Sequence, residues 1–83
     1  MNLYLLENYT NEGYNTYDSC LVVAADEKSA RLIKPDESRW GEEYSYSRSG
    51  WCMKPEDVIV KYIGVASEDL EENSILISSF NAA

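Results

Sequence analysis

The chain contains no histidine. That removes the side chain most often used to move protons near neutral pH and most often used to ligate metals. The two cysteines, Cys20 and Cys52, stand 32 residues apart, and a tetrahedral zinc site takes three or four protein ligands. The sequence therefore assigns no metal and no cofactor. Cys20 reads as a small buried strand residue, and a reducing cytosol disfavours a disulfide. Proline occurs twice and glycine four times, which excludes a collagen-like or linker-rich chain. No apolar run approaches the ~20 residues that span a bilayer. The opening MNLYLLENYT lacks the basic and long apolar segments of a signal peptide, so the expected location is the cytoplasm. Without export, the glycosylation sequon at Asn8-Tyr9-Thr10 carries no weight.

Bases are scarce as well: seven against fifteen acids, a net charge of −8. The imbalance is uneven along the chain. Residues 1–25 carry −3 and residues 64–83 carry −4, both without a single Lys or Arg. The middle, with all seven bases, comes to −1. Such a field repels nucleic acid and anionic membrane and favours basic protein surfaces. What is present in quantity is apolar mass, 45% of 83 residues. That suits one folded domain spanning residues 1–83, with a thin stability margin because a chain this short buries a limited core.

The chain is organised around residues 16–35, which read as a strand running into a short helix. Before it, residues 3–7 form an apolar strand, with Leu3 and Leu5 on one face and Tyr4 and Leu6 on the other. Apolar side chains on both faces predict cover on both sides. Residues 8–15, rich in Asn and Gly, form a loop. In the second strand, 16–24, Leu21 and Val23 face one way and Cys20 and Val22 the other. Asp26 is the expected N-cap, accepting from the amide of Lys28 or Ser29. The helix is expected over about 27–34. Ala30 and Ile33 face inward, Lys28, Arg31 and Lys34 face outward, and Pro35 ends it. A helix this short must dock on the sheet.

Residues 36–57 form a long aromatic loop without periodicity. Strands come next at 58–63 and 75–80, joined by a connection holding Glu68, Asp69, Glu71 and Glu72. The order β-β-α-β-β, with neighbours that look like hairpins, predicts an α+β fold. It would be a four-stranded antiparallel sheet with one short helix packed on one face.

Several segments together are similar to a family of small acidic proteins of phage and prophage genomes. They are the opening LYLL, Tyr17-Asp18-Ser19 leading into VVAADEKSARLI, the Trp51-Cys52 pair ahead of VIVKYIG, and the ending ILISSFNAA. The resemblance transfers no functional residues. It implies a mobile-element context, in which small acidic proteins often inhibit host defence.

Enzyme chemistry finds little support. The pairs Glu42-Glu43, Glu56-Asp57 and Glu71-Glu72 are adjacent in sequence, and adjacent residues do not share a face of a helix or strand. No nucleophile–base pair is visible, so the sequence assigns no catalytic residue. Two sets are candidates for partner binding. Glu7, Glu12, Asp18, Glu68, Asp69, Glu71 and Glu72 form an acidic set that mimics nucleic acid if it shares a face; otherwise it is a solvated surface. Trp40, Tyr44, Tyr46 and Trp51, accompanied by Arg39 and Arg48, are either interface anchors or missing core. The expectation is a non-enzymatic protein-binding module, in its sharpest form an anti-CRISPR or anti-restriction inhibitor on a basic protein surface. The alternative is a homodimeric structural or accessory protein whose helix-free sheet face is covered by a second copy. Direct nucleic-acid and membrane binding are not expected.

Overall fold

Alternation of apolar side chains builds a four-stranded antiparallel sheet in the order β3-β1-β2-β4. The strands are β1 (Asn2–Glu7), β2 (Thr16–Ala24), β3 (Ile59–Val65) and β4 (Ile75–Asn81). One short helix, α1 (Glu27–Arg31), packs on one side. The protein is therefore α+β. This computed structural model describes residues 1–9, 16–36, 40, 51, 52 and 54–81. The candidates Glu12, Tyr44 and Tyr46, with Arg39 and Arg48, lie outside the described residues.

Cross-strand partners share a face, so the register assigns the side chains. On the helix side, Tyr4 and Leu6 of β1 stand beside Cys20 and Val22 of β2. With Ala24, Ala30, Trp51, Cys52 and Val58 they form the core. On the opposite side lie Leu3, Leu5 and Glu7 of β1, opposite Val23, Leu21 and Ser19 of β2. Ile59 and Lys61 of β3 extend that face at one edge, and Ile77 and Ser79 of β4 at the other. The outer pairings are irregular, at Leu3/Tyr4 against β3 and near Asp18 and Leu76 between β2 and β4. Such bulges bend and twist the edges of a sheet.

The strand positions match the expectation within two residues, and β1 pairs with β2 as a hairpin, but β3 and β4 are not neighbours. β3 and β4 are consecutive in the chain, yet they form opposite edges of the sheet. The link between them, residues 66–74, crosses the end where β1 begins and β2 ends. There the Ala66 amide donates to Met1 O, the Asn73 amide to Val23 O, and the Val23 amide to Ser74 O. Asn73 turns the chain with a φ of 63°, a left-handed conformation that Asn tolerates better than most residues.

The helix starts as the sequence dictates. The Ser29 amide donates to Asp26 Oδ1 at 2.7 Å, and Glu27 adds negative charge to the positive helix end. It ends at Arg31, earlier than Pro35 requires. Residues 32–35 therefore leave the helical phase, which corrects the outward placement expected for Lys34; Arg31, still helical, is also not outward, because its long side chain reaches the carbonyls ahead of β3. Arg31 is half-buried and donates from Nη1 to Val58 O at 2.5 Å and Pro55 O at 3.1 Å. Lys34 is only 2% exposed, its ammonium 4.8 Å from the centroid of the Trp40 ring.

Five helical residues cover little of a four-stranded sheet. Trp51, fully buried, completes the layer with Cys52 and Val58. The Cys52 thiol donates to Asn8 Oδ1 at 3.4 Å, and Asn8 Nδ2 donates to Tyr17 O. Cys20 is buried as expected, and burial pushes its thiol up to about 12. Neither cysteine forms a disulfide.

Trp51 is the largest fully buried side chain, so Trp51→Ala is expected to cost about 3–5 kcal/mol. A chain of this size has a total stability of about 4–12 kcal/mol at ~0.05–0.15 kcal/mol per residue. Leu32→Ala, at an exposed position, should stay within about 0.5 kcal/mol of the parent. Urea unfolding measures both, and equal midpoints for the two variants would refute the role given to Trp51.

Candidate functional site

The acidic set divides between the two ends of the sheet. Glu7 closes β1 opposite Ser19 and Ile59, and Asp18 sits beside it at the bulge of β2. Glu68, Asp69, Glu71 and Glu72 lie in the link that crosses the other end, next to Asn2 and Val23. Five residues of extended strand, roughly 17 Å, separate the two groups. The described carboxylates thus form two groups rather than one flank, because β1 and β4 are separated by β2 and the link passes under the far end.

The two groups also differ electrostatically. Glu7 is neutralised: Lys61 Nζ lies 2.7 Å from its Oε1, and the Tyr9 hydroxyl donates to its Oε2 at 2.7 Å. These hydrogen bonds, Lys61 first, hold the Glu7 carboxyl below its ordinary value of 4.5. The same pair raises Lys61. At the other end Glu68, Asp69, Glu71 and Glu72 are all exposed. Asp69 is held low by the Ser67 hydroxyl that donates to it.

Asp26 and Glu27 belong to this same end. β2 delivers the chain directly to the helix start there, and Asn2 Nδ2 donates to Ala25 O. Sequence reading assigned Asp26 to capping and left both out of the acidic set. Their place directly after the end of β2 was the available signal. The resulting end carries six exposed carboxylates, with Lys28 as the base within the same stretch of chain. Of the other described bases, Arg31, Lys34 and Lys61 are committed to carbonyls, an aromatic ring and Glu7.

The aromatic candidates also separate. Trp51 is buried core and presents nothing to a partner. Trp40 is half-buried and packs against that core. The side chains that sequence reading left out of the site are on the helix-free face. There Leu5 and Leu21 are half-buried, and Ile59 and Ile77 are 42% and 66% exposed. A shallow hollow of about 150 Å³ lies among Leu5, Leu21, Ile77, Ser19 and Ser79. The two-sided apolar pattern of residues 3–6 was the signal for this surface.

Among the described residues, no group of three or more Cys, Asp or Glu side chains gathers to hold a metal ion. No helix among them is long and apolar enough to cross a membrane. No protein-family model, curated protein or solved structure matches the chain.

Glu7 gives a pH test with a definite sign. A carboxyl whose folded value is depressed stabilises fully above its unfolded value, and that contribution drains away as pH falls through the folded value. The stability gap between the parent and Glu7→Gln should therefore be widest above about pH 4.5 and close as pH falls. Thermal unfolding across the acid range measures it. A gap of constant size at every pH would show that the ion pair does not contribute.

Proposed function

We propose that the protein is a non-enzymatic binding module that docks its acidic end on a basic surface of another protein. The observation that carries this reading is the end built from Asp26, Glu27, Glu68, Asp69, Glu71 and Glu72. All six are exposed, and the nearest base in sequence is Lys28. Asp26 and Glu27 are fixed by the helix start. The link is pinned to the sheet by backbone hydrogen bonds at both of its ends. A negative patch on a rigid frame steers a positive partner and fixes its orientation, adding more to association rate and specificity than to raw affinity.

The narrower form of the proposal is a phage-encoded inhibitor acting in the host cytoplasm. It would occupy the nucleic-acid-binding surface of a defence complex, as an anti-CRISPR or anti-restriction protein does. Support for it comes from the resemblance to phage and prophage proteins together with the acidic end. In this form the protein competes with nucleic acid for a basic groove, and only the acidic end needs to imitate phosphate.

The test uses a partner captured from host extract and then purified. Glu71→Gln with Glu72→Gln should slow association by on the order of 10-fold at low ionic strength. Asp18→Asn, at the other end of the sheet, should change it little. Added salt should weaken binding to the unmodified protein. Binding that is indifferent to salt, or that loses as much from Asp18→Asn as from the double substitution, would overturn the proposal.

A further inference from the structure

The sheet face opposite α1 has different chemistry from the acidic end. Its end is covered where the link crosses, and Val23 is fully buried there. Its middle is uncovered: Ile59 and Ile77 protrude, and the hollow beside Leu5 and Leu21 is open. Within the paired rows of this face the charged side chains are Glu7 and Lys61, which neutralise each other at 2.7 Å. A chain of net charge −8 thus carries one face that is both apolar and neutral.

We propose that this face is the contact between two copies of the chain, packed sheet against sheet about a two-fold axis. Two observations select a second copy over another partner. Neutrality gives a basic protein nothing to read here, since the uncompensated carboxylates lie at the end of the sheet. Ile77 stands at 66% exposure beside the very hollow it helps to line. About a two-fold axis, the projecting side chain of one copy meets the hollow of the other twice over, as an isologous contact requires.

The available area sets the strength of the contact. Four strands spaced ~4.8 Å apart and about 20 Å long present roughly 400 Å² per copy. Two copies then bury on the order of 800 Å², below the ~1,200–2,000 Å² of stable complexes. Such a dimer is weak and depends on concentration. Sheets packed in this way sit about 10 Å apart with side chains interleaved.

Sedimentation velocity over a wide concentration range tests the proposal. The unmodified protein should shift from monomer to dimer as concentration rises. Ile77→Lys, at an exposed position that the fold does not depend on, should abolish the shift. Leu32→Lys, at an exposed position on the helix side, should leave it intact. Salt distinguishes this contact from the acidic docking above. Screening relieves repulsion between two negative copies and strengthens the dimer, whereas it weakens attachment to a basic partner.

A monomer at every concentration would overturn the proposal, including one whose open face is taken by a different protein. So would a dimer that survives Ile77→Lys, or one that is lost with Leu32→Lys. None of these outcomes bears on the acidic end, whose test stands separately.

Discussion

A four-stranded sheet needs cover, and among the described residues the α-helix that packs on it is five residues long. The rest of the structure is a response to that shortage. The helix reaches the core through one buried side chain, Ala30, so bulk must come from elsewhere, and Trp51 provides it. Arg31 fixes the geometry by donating to Pro55 O and Val58 O. That ties the helix end to the approach of β3 and sets Val58 into the core. The guanidinium satisfies Val58 O and adds a second donor to Pro55 O, which also accepts from the Val58 amide. With this mass on the helix side, Ile59 and Ile77 stand exposed in the middle of the second face.

The surface charge has its origin in the same construction. Lys34 is drawn in over Trp40, Arg31 is used on the backbone, and Lys61 pairs with Glu7. None of the three is placed against a carboxylate of the acidic end, and Lys61 balances Glu7 at the other end. The acidic end is therefore more exposed electrostatically than the composition alone implies. The neutral face arises in the opposite way, because the register of β1 and β3 places Glu7 and Lys61 diagonally on the same side.

Local signals in the sequence were reliable here, and long-range ones were not. Alternation and β-branched residues located all four strands, and Asp26 announced its own hydrogen bond to Ser29. Strand order was not legible, because alternation tells which face a side chain joins and not which strand lies beside it. The nine residues 66–74 look like a hairpin loop, yet they cross the whole sheet end. Lys34 was misplaced outward because the helical phase was carried past Arg31, where helix and phase both stop. Trp51 was ambiguous for a different reason. A tryptophan in a loop serves equally as anchor or as core, and only the brevity of the helix decides in favour of core.

Charge also constrains how two copies meet. With sheets packed face to face, a two-fold axis parallel to the strands brings both acidic ends to the same end of the dimer. An axis perpendicular to the strands sends them to opposite ends, roughly 20 Å apart or more along the strands. The screening length at physiological salt is about 8 Å, so the first arrangement keeps repulsion and the second removes most of it. At the far end Glu7 is already paired, which leaves little negative charge there to oppose an incoming acidic end. For the proposed dimer, the perpendicular axis is thus the one this charge pattern permits. It would leave both acidic ends outward, where the proposed basic partners would dock.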